Sequence, residues 1–275
     1  MSSDIEEIIL RHSQRGMTEL RKYVSDDYCH TAAKKILSWE NGNIILTTGF
    51  YVAGFAETDG PSGTMVMALV LKALGYNPII LTDNFCKGFF EPNVFDIVYM
   101  PFDADDGYCT DFLKKYAPVG MISIERCGIN VKNDYANMRE ISIKEHTAPC
   151  DRVFELALGS IPTVGVGDGG NEIGMGNMAD IITQKLSLTP ARVKVDDLVI
   201  ASVSNWGAYG MAACIEEITC KKLFPSYQTI YDFVCRTVEL GSVDGVTHER
   251  VAHVDGYDAS VEKEIIEALI SDIRR

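Results

Sequence analysis

Two carboxylates and an amide fall inside one glycine-rich stretch, Gly167-Asp168-Gly169-Gly170-Asn171-Glu172-Ile173-Gly174-Met175-Gly176. Acids packed this closely either share a metal ion or shift one another's ionisation, and both arrangements serve catalysis. With Gly165, Gly167 and Gly170 the stretch satisfies G-x-G-x-x-G after an apolar run. A dinucleotide site would set a pyrophosphate against those backbone amides. Asp168 and Glu172 would then lie where the phosphates sit, and position 185, where an acid would hold the ribose, is a lysine. The loop better suits a ligand bearing an amine, or a divalent cation.

Three further regions, the first in two parts (48–49 and 57–63), carry the same mixture of glycine and small polar or charged residues. Glu57-Thr58-Asp59-Gly60-Pro61-Ser62-Gly63 adds two acids, and Pro61 and Ser62 open a helix whose first N–H groups could hold a carboxylate. Glu125-Arg126 offers a charged fork for a second carboxylate, and Arg139 another. Thr48-Gly49 and Ser204-Asn205-Trp206-Gly207-Ala208-Tyr209-Gly210 complete the set, with Asp244 of Val243-Asp244-Gly245 as an added contact. Val254-Asp255-Gly256 reads as a turn. If a metal is bound, Glu57, Asp59 and Asp168 are its expected ligands, and manganese or magnesium the expected ion. His248 and His253 are five apart, which is no standard zinc spacing on a helix. No nucleophile elbow or Cys/His pair supports covalent catalysis.

These segments need elements that bring them together. Apolar runs at Ile44–Thr48, Pro78–Thr82, Ile97–Met100, Val119–Ile124, Thr163–Val166 and Leu198–Val203 read as strands. They are apolar on both faces, as strands of a parallel sheet covered by helices must be. Helical patterns lie between and after them, at Gly63–Leu74, Tyr108–Tyr116, Asn205–Cys220, Tyr227–Leu240 and Ala259–Ile273. The alternation predicts a doubly wound α/β fold with a mostly parallel sheet and helices on both faces. Residues 1–42 read as a helical extension packed on it, with Ser3 and Glu6 as a capping box and Asp27 starting a second helix. No linker is visible, so residues 1–275 are expected to form one domain. Four of the strands run into the four segments above, which places them at one edge of the sheet, where open parallel sheets bind ligands.

Composition narrows the ligand. The 275 residues carry a formal charge of −14, with no basic cluster to attract a phosphate backbone or anionic lipid, so the expected partner is a small molecule rather than nucleic acid or a membrane. The N-terminus lacks the marks of a secretory or transit signal, and the eight cysteines are scattered, with no Cys-x-x-Cys pair. A cytoplasmic protein is the expectation, and self-association stays open.

Taken in order, Thr48-Gly49-Phe50, residues 57–63, Ser123-Ile124-Glu125-Arg126-Cys127-Gly128, residues 167–176, residues 204–210 and Gly241-Ser242-Val243-Asp244-Gly245-Val246-Thr247 resemble the D-glutamate cyclase family, in its C-terminal catalytic domain and free-standing microbial relatives. The likeness runs over roughly residues 5 to 257. Asn137-Met138-Arg139 also looks like a family segment, with Glu140 where the family pattern has glycine. The resemblance implies a free-standing lyase that cyclises D-glutamate to 5-oxo-D-proline with loss of water. On that footing Asp168 and Glu172 are expected as base and acid or as metal ligands. Asn171 and the amides of 167–170, Gly169 and Gly170 among them, would stabilise the oxyanion. Arg126 and the helix start at Gly60, Ser62 and Gly63 would grip the α-carboxylate. Thr48, Gly49, Asp59, Glu125, Asn205 and Asp244 would complete the substrate site, and Glu57 and Asp59 the acidic cluster. The competing readings are a metal-dependent hydrolase or phosphoryl-transfer enzyme acting on a small anion, and a non-catalytic amino-acid-binding module.

Overall fold

The computed structural model describes residues 5–93, 95–186 and 188–274, so the proposed cap Ser3 lies outside the described residues. In chain order come helices α1 (Ile5–Ile9), α2 (Met17–Leu20) and α3 (Tyr28–Leu37), strand β1 (Asn43–Thr47), a hairpin of β2 (Tyr51–Val52) and β3 (Phe55–Ala56), helix α4 (Pro61–Ala73), strands β4 (Asn77–Thr82) and β5 (Asp96–Tyr99), and helix α5 (Asp106–Tyr116). They are followed by β6 (Gly120–Ile124), α6 (Cys150–Ala157), β7 (Thr163–Gly167), α7 (Ala179–Lys185), β8 (Asp197–Ile200), α8 (Ser204–Thr219), α9 (Tyr227–Glu239) and α10 (Ala259–Ile273).

Six strands form one wholly parallel sheet in the order β5-β4-β1-β6-β7-β8. Each expected strand is present, and the last ends early because the chain turns at residues 201–203 into α8. Along β1, Ile44 and Leu46 join one core while Ile45 joins another, which is the period-2 alternation of a strand buried on both faces. The larger core packs α1, α3, α4, α8, α9 and α10 against the sheet; the smaller receives α5 and α6. Burying alternate strand residues on two sides is what makes the fold doubly wound. Ile5, Ile8 and Ile9 of α1 belong to the larger core, so the N-terminal helices share the sheet's own apolar interior. Glu6, expected in a capping box, instead accepts from the Cys29 amide at the start of α3, at 2.9 Å.

Strand β7 is the exception in its covering. A Cβ on Gly165 would come within 2.7 Å of the Ile173 carbonyl and 3.1 Å of the Gly174 Cα. The glycine loop folds back against its own strand there, and only the absence of a side chain permits that approach.

Candidate active site

From β1 the chain winds outward through β4 and β5, then crosses back to β6 and winds the other way through β7 and β8. The loops leaving β1 and β6 therefore diverge in mid-sheet and open a crevice beyond the strands' carboxyl ends. Glu57, Asp59, Glu125, Asp168, Glu172 and Asp255 meet there, each at 6% exposure or less. One oxygen each from Asp59, Asp168 and Asp255 lies within 4.8 Å of the others, and so do oxygens from Glu125, Asp168 and Glu172.

The cation facing them is Arg15, from the turn between α1 and α2. Its guanidinium donates to Asp168 Oδ1 at 2.8 Å and to Asp255 Oδ1 at 2.5 Å. Burial works against the Arg15 charge, but Asp168 and Asp255 overcome it and hold the group protonated. Asp168 Oδ2 and Asp255 Oδ2 are buried with no N–H or hydroxyl donor among the described residues, and the two carboxyls face each other closely enough to share a proton. One guanidinium cannot offset six buried carboxylates, so the cluster must retain protons or admit a further cation. Accordingly burial, reinforced by the neighbouring acids, pushes Glu57, Glu125 and Asp255 well above the ordinary carboxyl range. Asp59 rises to about 8, through burial and then Asp255, against its amide donors. Asp168 rises to about 7 through burial, with Arg15 pulling the other way.

A cavity of about 520 Å³ opens beside the cluster, lined by Glu57, Glu125, Glu172, Asn171 and Arg15, by Phe50 and Tyr51, and by Met138, Arg139 and His146. Glu125 takes a left-handed backbone, φ 46°, at the very end of β6. Strain of this kind persists only where surrounding contacts hold it; here Ser204 Oγ donates to Glu125 Oε2 at 2.5 Å.

Several expected substrate contacts turn out to be used within the protein. Asn205 Oδ1 accepts from the Gly60 and Gly63 amides at 3.0 and 2.7 Å, capping α4. Asp59 in turn accepts from the Gly60, Ser204 and Asn205 amides at 2.8–2.9 Å, capping α8. The start of α4 thus has no donors left at Gly60 and Gly63 for a carboxylate. Ser62 Oγ pairs with the Tyr209 hydroxyl at 2.7 Å, and Gly63 is the close-packing point of α4 on α8. Arg126 is 1% exposed, pairs with Asp83 at 2.6 Å and donates to the carbonyls of Gly49 and Ala148. It is a buried tie between loops, away from the cavity. Thr48 is fully buried and does not line the cavity. Asp244 accepts from the amides of Val246, Thr247 and Gly256, which pins the loop that delivers Asp255. Of the proposed oxyanion donors, the Gly169 and Gly170 amides both go to Glu172, at 2.7 Å each. Asn171 Nδ2 goes to the Ala136 carbonyl at 2.8 Å, though its side chain still borders the cavity. In the expected metal set, Asp255 stands with Asp59 and Asp168 in the place assigned to Glu57.

With this geometry in hand, the comparisons with known proteins are specific. A family model described as D-glutamate cyclase-like, C-terminal, matches residues 5–270. The chain belongs to the D-glutamate cyclase-like family. It is also similar to the D-glutamate cyclase, mitochondrial, of Homo sapiens, at 31% identity over 200 residues. That match covers 63% of this chain and 32% of the human protein, so the chain spans about a third of the relative's length. Among the described residues no helix is long and apolar enough to cross a membrane.

Two residues at the heart of the cluster escaped sequence reasoning. Arg15 carries no local mark, being one of two arginines, with Arg11, in the turn between short helices. Asp255 sits in a turn, as read, but that turn faces the cluster. The β2–β3 hairpin was also missed, although Ala53-Gly54 between Tyr51-Val52 and Phe55-Ala56 is a two-residue hairpin signal; both turn residues have positive φ, 50° and 100°. Glu140, where the resemblance leads one to expect glycine, takes a left-handed φ of 56°, a conformation that glycine adopts most readily.

Proposed function

We propose that the chain is a lyase that closes D-glutamate to 5-oxo-D-proline with loss of water. The observation that carries this reading is the cluster of six buried carboxylates beside the cavity, opposed by a single arginine. In the reaction the amine nitrogen bonds to the γ-carbon and one γ-oxygen leaves. The ammonium gives up two protons and the departing oxygen takes up two, so the site need only relay protons. Groups that hold protons at neutral pH suit that task.

Glu172, fixed by the Gly169 and Gly170 amides and bordering the cavity, is placed to accept a proton from the ammonium. Glu125 and Glu57, also bordering the cavity and raised well above the carboxyl range, are placed to protonate the departing oxygen. Asp168 and Asp255 act from behind, holding Arg15. Holding glutamate folded, with nitrogen against γ-carbon, would supply much of the rate by proximity. The oxygens of Asp168 and Asp255 that lack an N–H or hydroxyl donor would also fit a divalent cation, which would polarise the γ-carboxyl.

Proton NMR of the purified protein with D-glutamate tests the proposal, with L-glutamate as control and parallel samples holding chelator, manganese or magnesium. Growth of 5-oxoproline signals from the D-form is the expected result. Unchanged glutamate in every sample would overturn it.

A further inference from the structure

We infer that Arg139 selects substrates carrying a free carboxylate beside the reacting amine. The inference rests on the cyclase reading and names the group that decides its substrate class. Among the described residues lining the cavity, the permanent cations are Arg15 and Arg139. Arg15 is committed to Asp168 and Asp255. Arg139 has no ion pair among the described residues.

The hairpin that carries Arg139 is tied down around it. Its arms meet at the Ala136–Ser142 bridge, and the Ala136 carbonyl accepts from Asn171 Nδ2. Asn137 Oδ1 accepts from the Arg139 and Ile141 amides, at 2.9 and 3.1 Å, which closes the tip. The Glu140 carboxylate accepts from the Thr189 amide and hydroxyl at 2.9 and 2.7 Å, anchoring the tip to a neighbouring loop. A fixed hairpin thus presents one uncommitted guanidinium to a cavity whose other charged walls are Glu57, Glu125, Glu172 and the already committed Arg15.

The chemistry of the ligand completes the argument. The acids take the ammonium and the γ-carboxyl, the two groups consumed in ring closure. The α-carboxylate survives into product as a full negative charge close to buried acids. It needs a cation that is not already paired, and a guanidinium can grip it with two parallel hydrogen bonds.

The experiment compares D-glutamate with D-isoglutamine, its α-amide, which keeps the amine and the γ-carboxyl. The wild-type protein is expected to favour D-glutamate in kcat/KM by about 10–100-fold, the range of a charge-assisted hydrogen-bonded pair. Arg139→Gln should raise KM for D-glutamate, leave kcat nearly unchanged and erase most of that preference. Arg139→Lys should restore part of it. Because Arg139 is exposed, the melting temperature should not move, which separates recognition from folding. An Arg139→Gln protein with the wild-type preference and KM overturns the inference while leaving the cyclase reading intact. If the wild-type protein turns over neither compound, the cyclase reading fails. Calorimetric binding of D-glutamate then decides Arg139 alone: about a tenfold loss in Arg139→Gln supports it, and an unchanged Kd, or no binding by wild type, overturns it.

Discussion

Asp168 has one oxygen on the Arg15 guanidinium and faces the Asp255 carboxyl, with which it can share a proton. Its carboxyl is raised from 3.8 to about 7, chiefly by burial, so the folded protein holds this proton more tightly than the unfolded chain does. The corresponding stability is complete below about pH 4 and is lost as pH rises through about 7. Asparagine cannot ionise, and its Nδ2 could donate toward Asp255. Asp168→Asn should therefore melt higher relative to wild type at pH 8 than at pH 5, while losing turnover by roughly 100-fold or more because the proton relay is disturbed. Calorimetric melts at the two pH values, with NMR turnover, check this; a melting difference that ignores pH would remove Asp168 from the titrating cluster. The acids at positions 57, 59, 125, 168 and 172 were legible in sequence, since they stand where strands of a parallel sheet end and its ligand-binding loops begin. Their division of labour was not. Nothing local indicates that Glu172 would take the loop's own amides.

At the scale of elements, α4 and α8 cap each other: Asn205 of α8 closes the start of α4, and Asp59 before α4 closes the start of α8. This exchange requires the two helix starts to touch, and Gly63 allows it. A Cβ there would meet the Ala208 Cβ at 2.8 Å and the Asn205 Cα at 3.1 Å, one side chain rigid and the other contact backbone. Gly63→Ala should therefore push the helices apart and destabilise the fold by about 1–3 kcal/mol, the usual cost of overpacking. Urea unfolding measures it, and unchanged stability would mean the helix pair yields freely. The elements themselves were readable, because strand and helix periods are local properties. The short hairpin after β1 and helix α7 were not, since each is too brief for a period to show; α6 was missed although Cys150, Val153, Phe154 and Ala157 carry the period.

Across the whole molecule, the ends of the chain converge on the middle. Arg15 comes from the N-terminal helices and Asp255 from the loop before α10, and they meet over the switch point of the sheet. The same convergence continues in the core, where Ile9 is fully buried and its carbonyl accepts from the Ser202 amide at 2.9 Å. Ile9→Ala should cost about 2–5 kcal/mol and lower the stability of the entire protein in one transition. Circular dichroism against urea distinguishes this from a separate early loss of the N-terminal helices, which would show that they fold independently of the sheet.

By itself the sequence determined the doubly wound sheet, the edge of that sheet where the acidic loops gather, and the acidic character of that cluster. Each follows from alternation and spacing within short stretches, where side-chain direction is dictated by the local backbone. Only the tertiary structure decided which polar groups remain free for chemistry. A backbone amide or a guanidinium looks available in sequence, yet burial obliges it to find a partner. For Gly60 and Gly63 that partner is Asn205, and for Arg126 it is Asp83 with two carbonyls. Both lie far away along the chain. Arg15 and Asp255 enter the site for the same reason, since a buried cluster of acids must find its counter-charge wherever the fold supplies one.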